Sequence, residues 1–347
     1  MAYSNRNQQI VELFPKLPNY RLAQIEEALF SPEIRSWLDV STLPKAMREK
    51  LDKDMPFMSV TVDEIVASID GDTHKAAIIV EGGQKIETVL MKNKRGMFTI
   101  CVSSQVGCAM RCGFCATGKM GLIRNLEAEE IIDQLRLWQQ YLVDNMGEDD
   151  RISNIVYMGM GEPLANYENV KSSLNTILKH TDIGTTRITV STVGVLPRLE
   201  QVLADEDWPH VRMAVSLHSA DKATRKEIVP TSYDDFLPKL ADWSRRYLER
   251  FGNRRHHLTF EYVMLKDIND TKHHATLLAN FVNRIGTVRV NLIPYNFTDC
   301  GFAASTIDTI TAFRETLDKK GVVVTTRRTQ GEDIAAACGQ LVKKNEK

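Results

Sequence analysis

The sequence predicts an α/β protein with a parallel sheet, either open or curled into a barrel, behind a small N-terminal helical domain. From residue 98 onward, seven short runs rich in β-branched residues alternate with longer segments of helical period, which is the pattern of successive βαβ units. About the first 70 residues show short helical segments instead. A chain of 347 residues is long enough for one barrel-sized domain with an extension.

The individual elements of the core follow from local patterns. The predicted strands lie at residues 98–103, 153–158, 187–191, 211–217, 258–265, 288–293 and 322–326. The predicted helices lie at residues 127–146, 169–180, 236–250, 272–284 and 306–320. The first of these helices follows Asn125, a helix-capping residue type, and carries acidic residues in its first turn, where the helix dipole favours them.

The chain before residue 98 has a different character. Helices are predicted at residues 21–29, 33–38 and 44–54, whereas the pattern of residues 60–68 indicates neither a helix nor a strand. A β-hairpin is predicted at residues 76–80 and 86–91, with its turn at residues 81–84. We therefore expect a helical accessory domain at residues 1–71, a β-hairpin linker at 72–97, the α/β core at 98–341 and a tail at 342–347.

The charge is balanced overall but uneven along the chain. With 44 Lys+Arg against 45 Asp+Glu, the net charge of −1 argues against a wholly basic nucleic-acid binder. Residues 73–124 carry 8 basic and 2 acidic residues, a net charge of +6, whereas residues 1–72 carry −4 and residues 125–347 carry −3. The basic segment is either a solvated hairpin or a surface that faces phosphates.

No stretch of about 18 apolar residues is present, and the N-terminus lacks the apolar core of a signal peptide. We therefore expect a cytoplasmic protein without a membrane span. Six cysteines in such a reducing compartment indicate ligands, catalytic thiols or core residues rather than a disulfide scaffold.

Three cysteines form the strongest motif in the sequence. Cys108, Cys112 and Cys115 follow the first predicted core strand, at a spacing that lets three thiolates converge on one metal site. A closed zinc site needs four ligands. A 4Fe-4S cluster also takes four, so three thiolates would leave one iron open to an external ligand and hence to chemistry. The plain alternative is three unrelated buried cysteines.

Polar residues also follow other predicted strands. They are Gly161 and Glu162, Ser191, Ser216 and His218, and Asn296. Each has an ordinary explanation by itself, as a helix cap or a structural histidine. Because the carboxyl ends of parallel strands meet at one edge of a sheet, their joint placement beside the cysteines predicts a shared small-molecule site.

Several motifs together resemble one known family. They are CVSSQVGC at residues 101–108, MGMGEPL at 158–164, STVG at 191–194, SLHS at 216–219, VNLIP at 290–294 and DIAAACGQL at 333–341. They are similar to the RlmN/Cfr family of radical S-adenosylmethionine (SAM) RNA methyltransferases, from about Tyr20 to Leu341. The resemblance implies a partial (βα)6-type barrel with a small N-terminal helical domain that binds RNA.

The resemblance also implies the cofactors and their ligands. Cys108, Cys112 and Cys115 would hold one 4Fe-4S cluster, and SAM would chelate its open iron. The residues implied to contact SAM are Gly161 and Glu162 at its amino group, and Ser191, Ser216, Leu217, His218 and Asn296 along the rest of the molecule.

Two further cysteines fit the chemistry of methylating an adenine ring carbon. That carbon and the methyl group of SAM are both electrophilic, so a covalent route through a thiol removes the polarity mismatch. By resemblance, Cys338 takes a methyl group from one SAM, and a radical from a second SAM activates that group for addition to adenine. Cys101 then releases the product by forming a transient disulfide with Cys338, and Glu87 accepts the proton. An electron donor such as flavodoxin reduces this disulfide back to two thiols.

The resemblance implies methylation at carbon 2 of an adenine in the peptidyl-transferase centre of 23S rRNA, often with tRNA as well. One alternative is a carbon-8 enzyme of the Cfr type that gives ribosomal antibiotic resistance. Others are a radical SAM enzyme with a non-RNA substrate and a zinc-binding RNA-interaction protein. We expect a monomer.

The base must be presented unstacked, which favours a loop or bulge in folded RNA. Lys92, Lys94 and Arg95 are the candidates for backbone contact, with Arg124, Arg327 and Arg328 extending the surface. Cys300 matches no motif.

Overall fold

The computed structural model of the protein describes residues 6–147, 150–252, 258–327 and 329–341. The predicted tail at residues 342–347 and the candidate Arg328 lie outside these ranges. None of the described helices combines the length and the apolar character needed to cross a lipid bilayer.

The N-terminal region is helical, as predicted. It contains α1 (Arg6–Leu13), α2 (Asn19–Leu29) and α3 (Lys45–Asp54). The helix predicted at residues 33–38 is wrong, because this segment forms only a short 3-10 turn at Trp37–Asp39. The Asp39 carboxylate accepts a hydrogen bond from the backbone N–H of Ser36 at 2.8 Å, and such local bonds compete with an α-helix. The fully buried Trp37 donates its indole N–H to the carbonyl of Met55.

Residues before position 58 pack around a hydrophobic cluster of their own, which includes Ile25, Trp37 and Leu51. A buried carboxylate joins this region to the rest of the protein. Asp133 accepts hydrogen bonds from the guanidinium of Arg6 at 2.7 Å and from the backbone N–H of Ser59 at 2.6 Å. The domain boundaries given above stay a prediction.

Three antiparallel strands follow. They are β1 (Thr61–Ala67), β2 (Thr73–Ile79) and β3 (Lys85–Lys92). The predicted hairpin is thus confirmed as β2 and β3, and β1 occupies the segment that the sequence leaves unassigned. Because β3 pairs with the first strand of the core, these three strands extend the core sheet.

The core contains the remaining elements in chain order. They are β4 (Phe98–Cys101), β5 (Gln105–Gly107), α4 (Ala116–Met120), β6 (Leu122–Asn125), α5 (Ala128–Asn145), β7 (Ile152–Tyr157), α6 (Tyr167–His180), β8 (Ile188–Thr192), α7 (Leu196–Ala204), β9 (Arg212–Ser216), α8 (Lys222–Ile228), α9 (Phe236–Phe251), β10 (Thr259–Met264), α10 (Lys272–Asn283), β11 (Arg289–Pro294), α11 (Ile307–Lys319) and β12 (Val323–Thr326). All seven predicted core strands and all five predicted core helices are confirmed to within a few residues.

The sheet order confirms the predicted fold class. Strands β4, β7, β8, β9, β10, β11 and β12 are neighbours in that order and are parallel. The sheet begins at β1 and ends at β12, and no pairing joins these two edges in the described residues, so the barrel is partial. Three core helices were missed: α4 has only 5 residues and α8 only 7, while α7 is short and has a proline in its first turn.

After β12 the chain continues without helix or strand at residues 329–341, here called the C-terminal segment. Its Asp333 carboxylate accepts from the backbone N–H of Ile69, beyond β1, at 2.8 Å. Its Gln340 amide donates to the carbonyl of Phe297, beyond β11, at 2.9 Å. The segment therefore connects the two ends of the partial barrel and carries Cys338 with it.

We expect Asp133→Ala to destabilise the protein by about 3–5 kcal/mol, because it leaves the cations of Arg6 and Arg136 buried without their partner. The matched control is Asp144→Ala, whose exposed pair with Arg35 is worth at most about 1 kcal/mol. Urea unfolding at pH 7 measures both. Equal losses for the two variants would contradict the structural role of Asp133.

This contribution should also depend on pH. Burial by itself would raise the pKa of Asp133, but the guanidiniums of Arg136 and Arg6 hold that pKa well below its ordinary value of 3.8. A carboxyl whose pKa is lowered by folding stabilises the protein above its unfolded pKa and loses that effect as the pH falls. The difference between wild type and Asp133→Ala should therefore shrink as the pH is lowered below about 4.

Candidate functional site

The cysteine motif lies in a loop that a small hairpin closes. Strands β5 and β6 pair antiparallel on either side of this loop, here called the cysteine loop (residues 108–121). The N–H of Cys108 donates to the carbonyl of Gly121 at 3.0 Å. The backbones come so close that a Cβ on Gly107 would lie 1.9 Å from the Gly121 oxygen, so residue 107 must be glycine. Inside the loop, a turn places the N–H of Cys115 3.1 Å from the carbonyl of Cys112.

The three thiols converge on one pocket. Cys108, Cys112 and Cys115 all line it. Burial raises the pKa of the Cys108 thiol to about 12 and also raises those of the other two thiols. The charges of Cys115 and Cys108 add to the rise in the pKa of Cys112. Among the described residues, no three side chains already lie close enough together to bind a metal ion. Three thiols around one pocket are nevertheless the type of donor that suits a thiophilic metal or an iron–sulfur cluster.

The pocket gathers most of the residues that the sequence singled out. It has a volume of about 1020 Å³ including its open mouth. The predicted residues that line it are Cys108, Cys112, Cys115, Gly161, Glu162, Ser191, Ser216, His218, Asn296 and Cys338. Leu217, Cys101 and Glu87 are not among its lining residues. The side chain of Leu217 is fully buried in the core.

Glu162 is a buried carboxylate at the carboxyl end of β7. Its two oxygens accept from the backbone N–H groups of Leu164 at 3.0 Å and Val193 at 2.7 Å. Burial raises the pKa of Glu162 to about 7, although these hydrogen bonds act in the opposite direction. The site therefore holds a carboxylate that can take up a proton or accept a hydrogen bond from a bound ammonium group.

Neutral polar groups line the ends of the next strands. The hydroxyls of Ser191 and Ser216 lie 3.4 Å apart. The Nδ1 atom of His218 accepts from the backbone N–H of Val263 at 3.1 Å. Burial lowers the pKa of His218 to about 3, and the nearby Arg225 adds to this effect. At neutral pH His218 is thus uncharged, and its Nε2 carries the proton that it can donate.

Cys338 and Cys101 line a second pocket, which adjoins the first. The Asn296 amide donates to the carbonyl of Cys338 at 3.1 Å, so Asn296 positions the segment that bears this thiol. Burial raises the pKa of the Cys101 thiol to about 12, and the neighbouring Cys338 contributes to the shift. All six cysteines are free thiols in this structure.

Arg327 contributes to both pockets, and the prediction that it extends an RNA-binding surface stays a prediction. Its guanidinium donates to the sulfur of Met158 at 3.3 Å. The charges of Cys338, Glu261 and Cys101 all act to raise the pKa of Arg327. Its position directly after the last strand of a parallel sheet is the signal that could have placed it at the site.

Glu87 lies on β3 and is buried, with 3% of its surface exposed. One carboxylate oxygen pairs with Lys75 at 2.9 Å. The other has no hydrogen-bond partner in the described part of the chain. Lys75 also donates to the carbonyl of Ala335 at 3.2 Å, so a single ammonium group links Glu87 to the C-terminal segment.

Partners from outside the basic segment compensate much of its charge. Lys85 pairs with Asp63, Lys92 with Asp150, and Arg124 with Glu130. Arg124 is held by two hydrogen bonds of 2.7 Å to Glu130, so the prediction that it faces RNA is not supported. Of the predicted candidates, Lys94 and Arg95 are exposed, in the turn before β4.

A partial βα barrel with three cysteines in a loop after its first parallel strand defines the class of radical SAM enzymes, and the Radical SAM superfamily matches residues 102–278. The "Probable dual-specificity RNA methyltransferase RlmN" of Dictyoglomus thermophilum is 40% identical over 93% of this chain and 90% of its own length. The "Dual-specificity RNA methyltransferase RlmN" of Alcanivorax borkumensis is 40% identical over 93% of this chain and 84% of its own length. The chain therefore belongs to the RlmN family of the radical SAM superfamily.

Structural comparison agrees with this assignment. The crystal structure of a radical SAM methyltransferase from Sphaerobacter thermophilus matches with a TM-score of 0.88 and 34% identity, and the match covers 96% of each chain. The N-terminal helices, the antiparallel strands and the partial barrel are thus shared as one arrangement.

We expect Gly161→Ala to disturb the turn that carries Glu162. Gly161 has a φ of +103°, and an added Cβ would lie 2.5 Å from the Cβ of Gln105. We expect a loss of about 1–3 kcal/mol in the free energy of unfolding. The control is Gly184→Ala, where a Cβ would meet no atom within 4 Å. Urea unfolding of both variants without cofactor measures the difference, and an unchanged Gly161→Ala protein would contradict the crowding.

Proposed function

We propose that the protein is a radical SAM methyltransferase that methylates a ring carbon of adenine in RNA. The expected position is carbon 2 of an adenine in the peptidyl-transferase centre of 23S rRNA, often with tRNA as well. One observation carries the proposal: Cys338 lines both the pocket of the three-cysteine motif and the adjoining pocket that contains Cys101. The RNA methyltransferase names of the relatives support the substrate class.

The thiols of Cys108, Cys112 and Cys115 fit a 4Fe-4S cluster, since all three line one pocket and would leave one iron without a protein ligand. When bound, the cluster would supply the electron that cleaves SAM to a 5′-deoxyadenosyl radical. Glu162 would accept hydrogen bonds from the SAM ammonium group, and Gly161 lets the backbone approach it. Ser191, Ser216 and His218 would donate to the polar atoms of SAM, and Asn296 would form part of the wall of the site. Leu217, buried in the core, would act by holding its neighbours Ser216 and His218 in place.

Cys338 would act as the methyl carrier. Its thiolate attacks the methyl group of a first SAM, the S–C bond to the cysteine forms, and S-adenosylhomocysteine leaves. A radical supplied by a second SAM would then take a hydrogen atom from the S-methyl group on Cys338, so that this methylene carbon could bond to the adenine ring. The hydrogen bond from Asn296 to the Cys338 carbonyl would keep the sulfur in place during both steps.

Cys101 and Glu87 would complete the turnover. The ring adduct, which still carries an unpaired electron, would return one electron to the oxidised cluster, and Glu87 would accept the proton from the substituted ring carbon. The Cys101 thiolate attacks the Cys338 sulfur, forming an S–S bond and breaking the S–CH₂ bond, whose electron pair goes to the carbon that is then protonated to methyl. Burial raises the pKa of the Cys101 thiol, whereas the positive charge of Arg327 lowers this pKa and so favours the thiolate. A two-electron donor of the flavodoxin class reduces the disulfide.

The decisive experiment compares the modified nucleosides of cells that lack the gene and carry wild type, Cys338→Ala or Cys300→Ala. Mass spectrometry of rRNA and tRNA resolves 2-methyl from 8-methyl adenosine. We expect wild type and Cys300→Ala to restore 2-methyladenosine and Cys338→Ala to abolish it. Purified Cys338→Ala should still form 5′-deoxyadenosine, because the three cysteines of the cluster motif are intact.

Each other outcome has a definite meaning. Wild-type levels of 2-methyladenosine with Cys338→Ala would refute the thiol-carrier mechanism. Restored 8-methyladenosine would assign the enzyme to the carbon-8 branch. A lack of any change in RNA, with 5′-deoxyadenosine still formed, would assign it a non-RNA substrate.

We also expect the turn at Lys94 and Arg95 to contact the RNA backbone. The double variant Lys94→Glu/Arg95→Glu should weaken RNA binding and reduce the slope of log K against log salt by about 0.7 per lost phosphate contact. The control is Lys319→Glu on α11, whose side chain is 78% exposed. Filter binding across a salt series measures both variants, and an unchanged slope for the double variant would refute this contact.

A further inference from the structure

Arg225, on α8, is a buried cation that the described part of the chain does not fully satisfy. Only 1% of its surface is exposed. Its Nη2 donates to the carbonyl of Val193 at 2.8 Å and, more weakly, to that of Ser216 at 3.4 Å. Its guanidinium carbon lies 3.8 Å from the ring centroid of Phe236. Its Nε and Nη1 atoms have no hydrogen-bond partner among the described residues.

Among the described residues, no carboxylate pairs with Arg225. The titratable groups that face it are Cys112, Tyr233 and His218. Burial lowers the pKa of Arg225 to about 10, which still leaves it charged at neutral pH. A buried charge with two unsatisfied donors is costly unless an anion compensates it. The charge and the two free donors of Arg225 are therefore compensated only when an anion binds beside them.

The position of Cys112 indicates which anion this is. The N–H of Gly113, the residue after Cys112, donates to the carbonyl of Ile228 at the end of α8 at 2.9 Å, so the cysteine loop is joined to the helix of Arg225. The charges of Cys112 and Arg225 accordingly act on each other. Once it binds iron, this thiol becomes a thiolate in an assembly with two more thiolates and the inorganic sulfides. We propose that Arg225 is the buried counter-charge of the iron–sulfur cluster, with Nε and Nη1 available to the anionic sulfur atoms around Cys112. The inference rests on the cluster ligands given under the proposed function.

Such a counter-charge has a definite effect on electron transfer. One-electron reduction makes the cluster assembly more negative, and a fixed cation in a medium of low dielectric constant stabilises the more negative form. Hydrogen bonds to cluster sulfur atoms act in the same direction. Arg225 should therefore raise the reduction potential of the cluster and make it easier to reduce.

The test is a potentiometric titration of the reconstituted full-length protein, followed by electron paramagnetic resonance, without SAM or RNA. Arg225→Gln removes the charge but keeps an amide that can donate to the Val193 carbonyl. Arg225→Lys keeps the charge. The matched control is Arg198→Gln, because Arg198 lies on α7 and contacts Gln201 and the ring of Tyr167 instead.

We expect Arg225→Gln to disfavour reduction at least about tenfold, which is a potential lower by about 59 mV for a one-electron couple. Arg225→Lys should lie close to wild type, and Arg198→Gln should match it. A wild-type potential for Arg225→Gln would overturn the proposal. Equal shifts for the Gln and Lys variants would also overturn it, because they would indicate a purely structural role.

Two further outcomes separate this proposal from the others. An Arg225→Gln protein with a wild-type potential but weakened SAM binding would overturn the proposal and assign the free donors to the SAM carboxylate. A Cys112→Ala protein that keeps a normal cluster would overturn both the cluster ligands and this inference. Because the titration contains no RNA, the reduction potential that it measures does not depend on the outcome of the RNA methylation experiment.

Discussion

The arrangement of the site depends on the hydrogen bonds that hold the C-terminal segment against the cysteine loop. The N–H of Ala116 donates to the carbonyl of Gly339 at 2.9 Å, and the Thr117 hydroxyl donates to the carbonyl of Leu341 at 2.6 Å. Because the described C-terminal segment has neither helix nor strand, these bonds fix where Cys338 lies relative to the three-cysteine motif. The two pockets share their boundary for this reason.

The parallel core could be predicted from sequence because each strand is a short apolar run between amphipathic helices, and the carboxyl ends of parallel strands lie at one edge. Glu162, Ser216 and His218 could be placed at the site by that rule. Strand β1 could not, because its residues are mostly exposed and show no alternation. Arg225 was missed because α8 is too short for a periodic signal, and its importance comes from burial, which only the folded structure reveals.

The charge of the basic segment shows that composition alone does not predict the charge of a protein surface. Counting residues shows an excess of cations between positions 73 and 124. The carboxylates that compensate it, Asp63, Glu130 and Asp150, come from outside that range and reach it only through the fold. A surplus along the chain is therefore not a surplus on the surface, and the exposed Lys94 and Arg95 are a smaller feature than the sequence indicates.

The contact between Asp333 and Ile69 joins residues 264 positions apart, across almost the whole chain. Contacts of such large sequence separation close long loops and form late in folding. The βα units, including the cysteine loop, can fold from local contacts while the C-terminal segment is still unattached. During synthesis the C-terminal segment with Cys338 is therefore the last of the pocket-lining parts to emerge, so a ribosome-bound chain can form most of its barrel before the two pockets are complete.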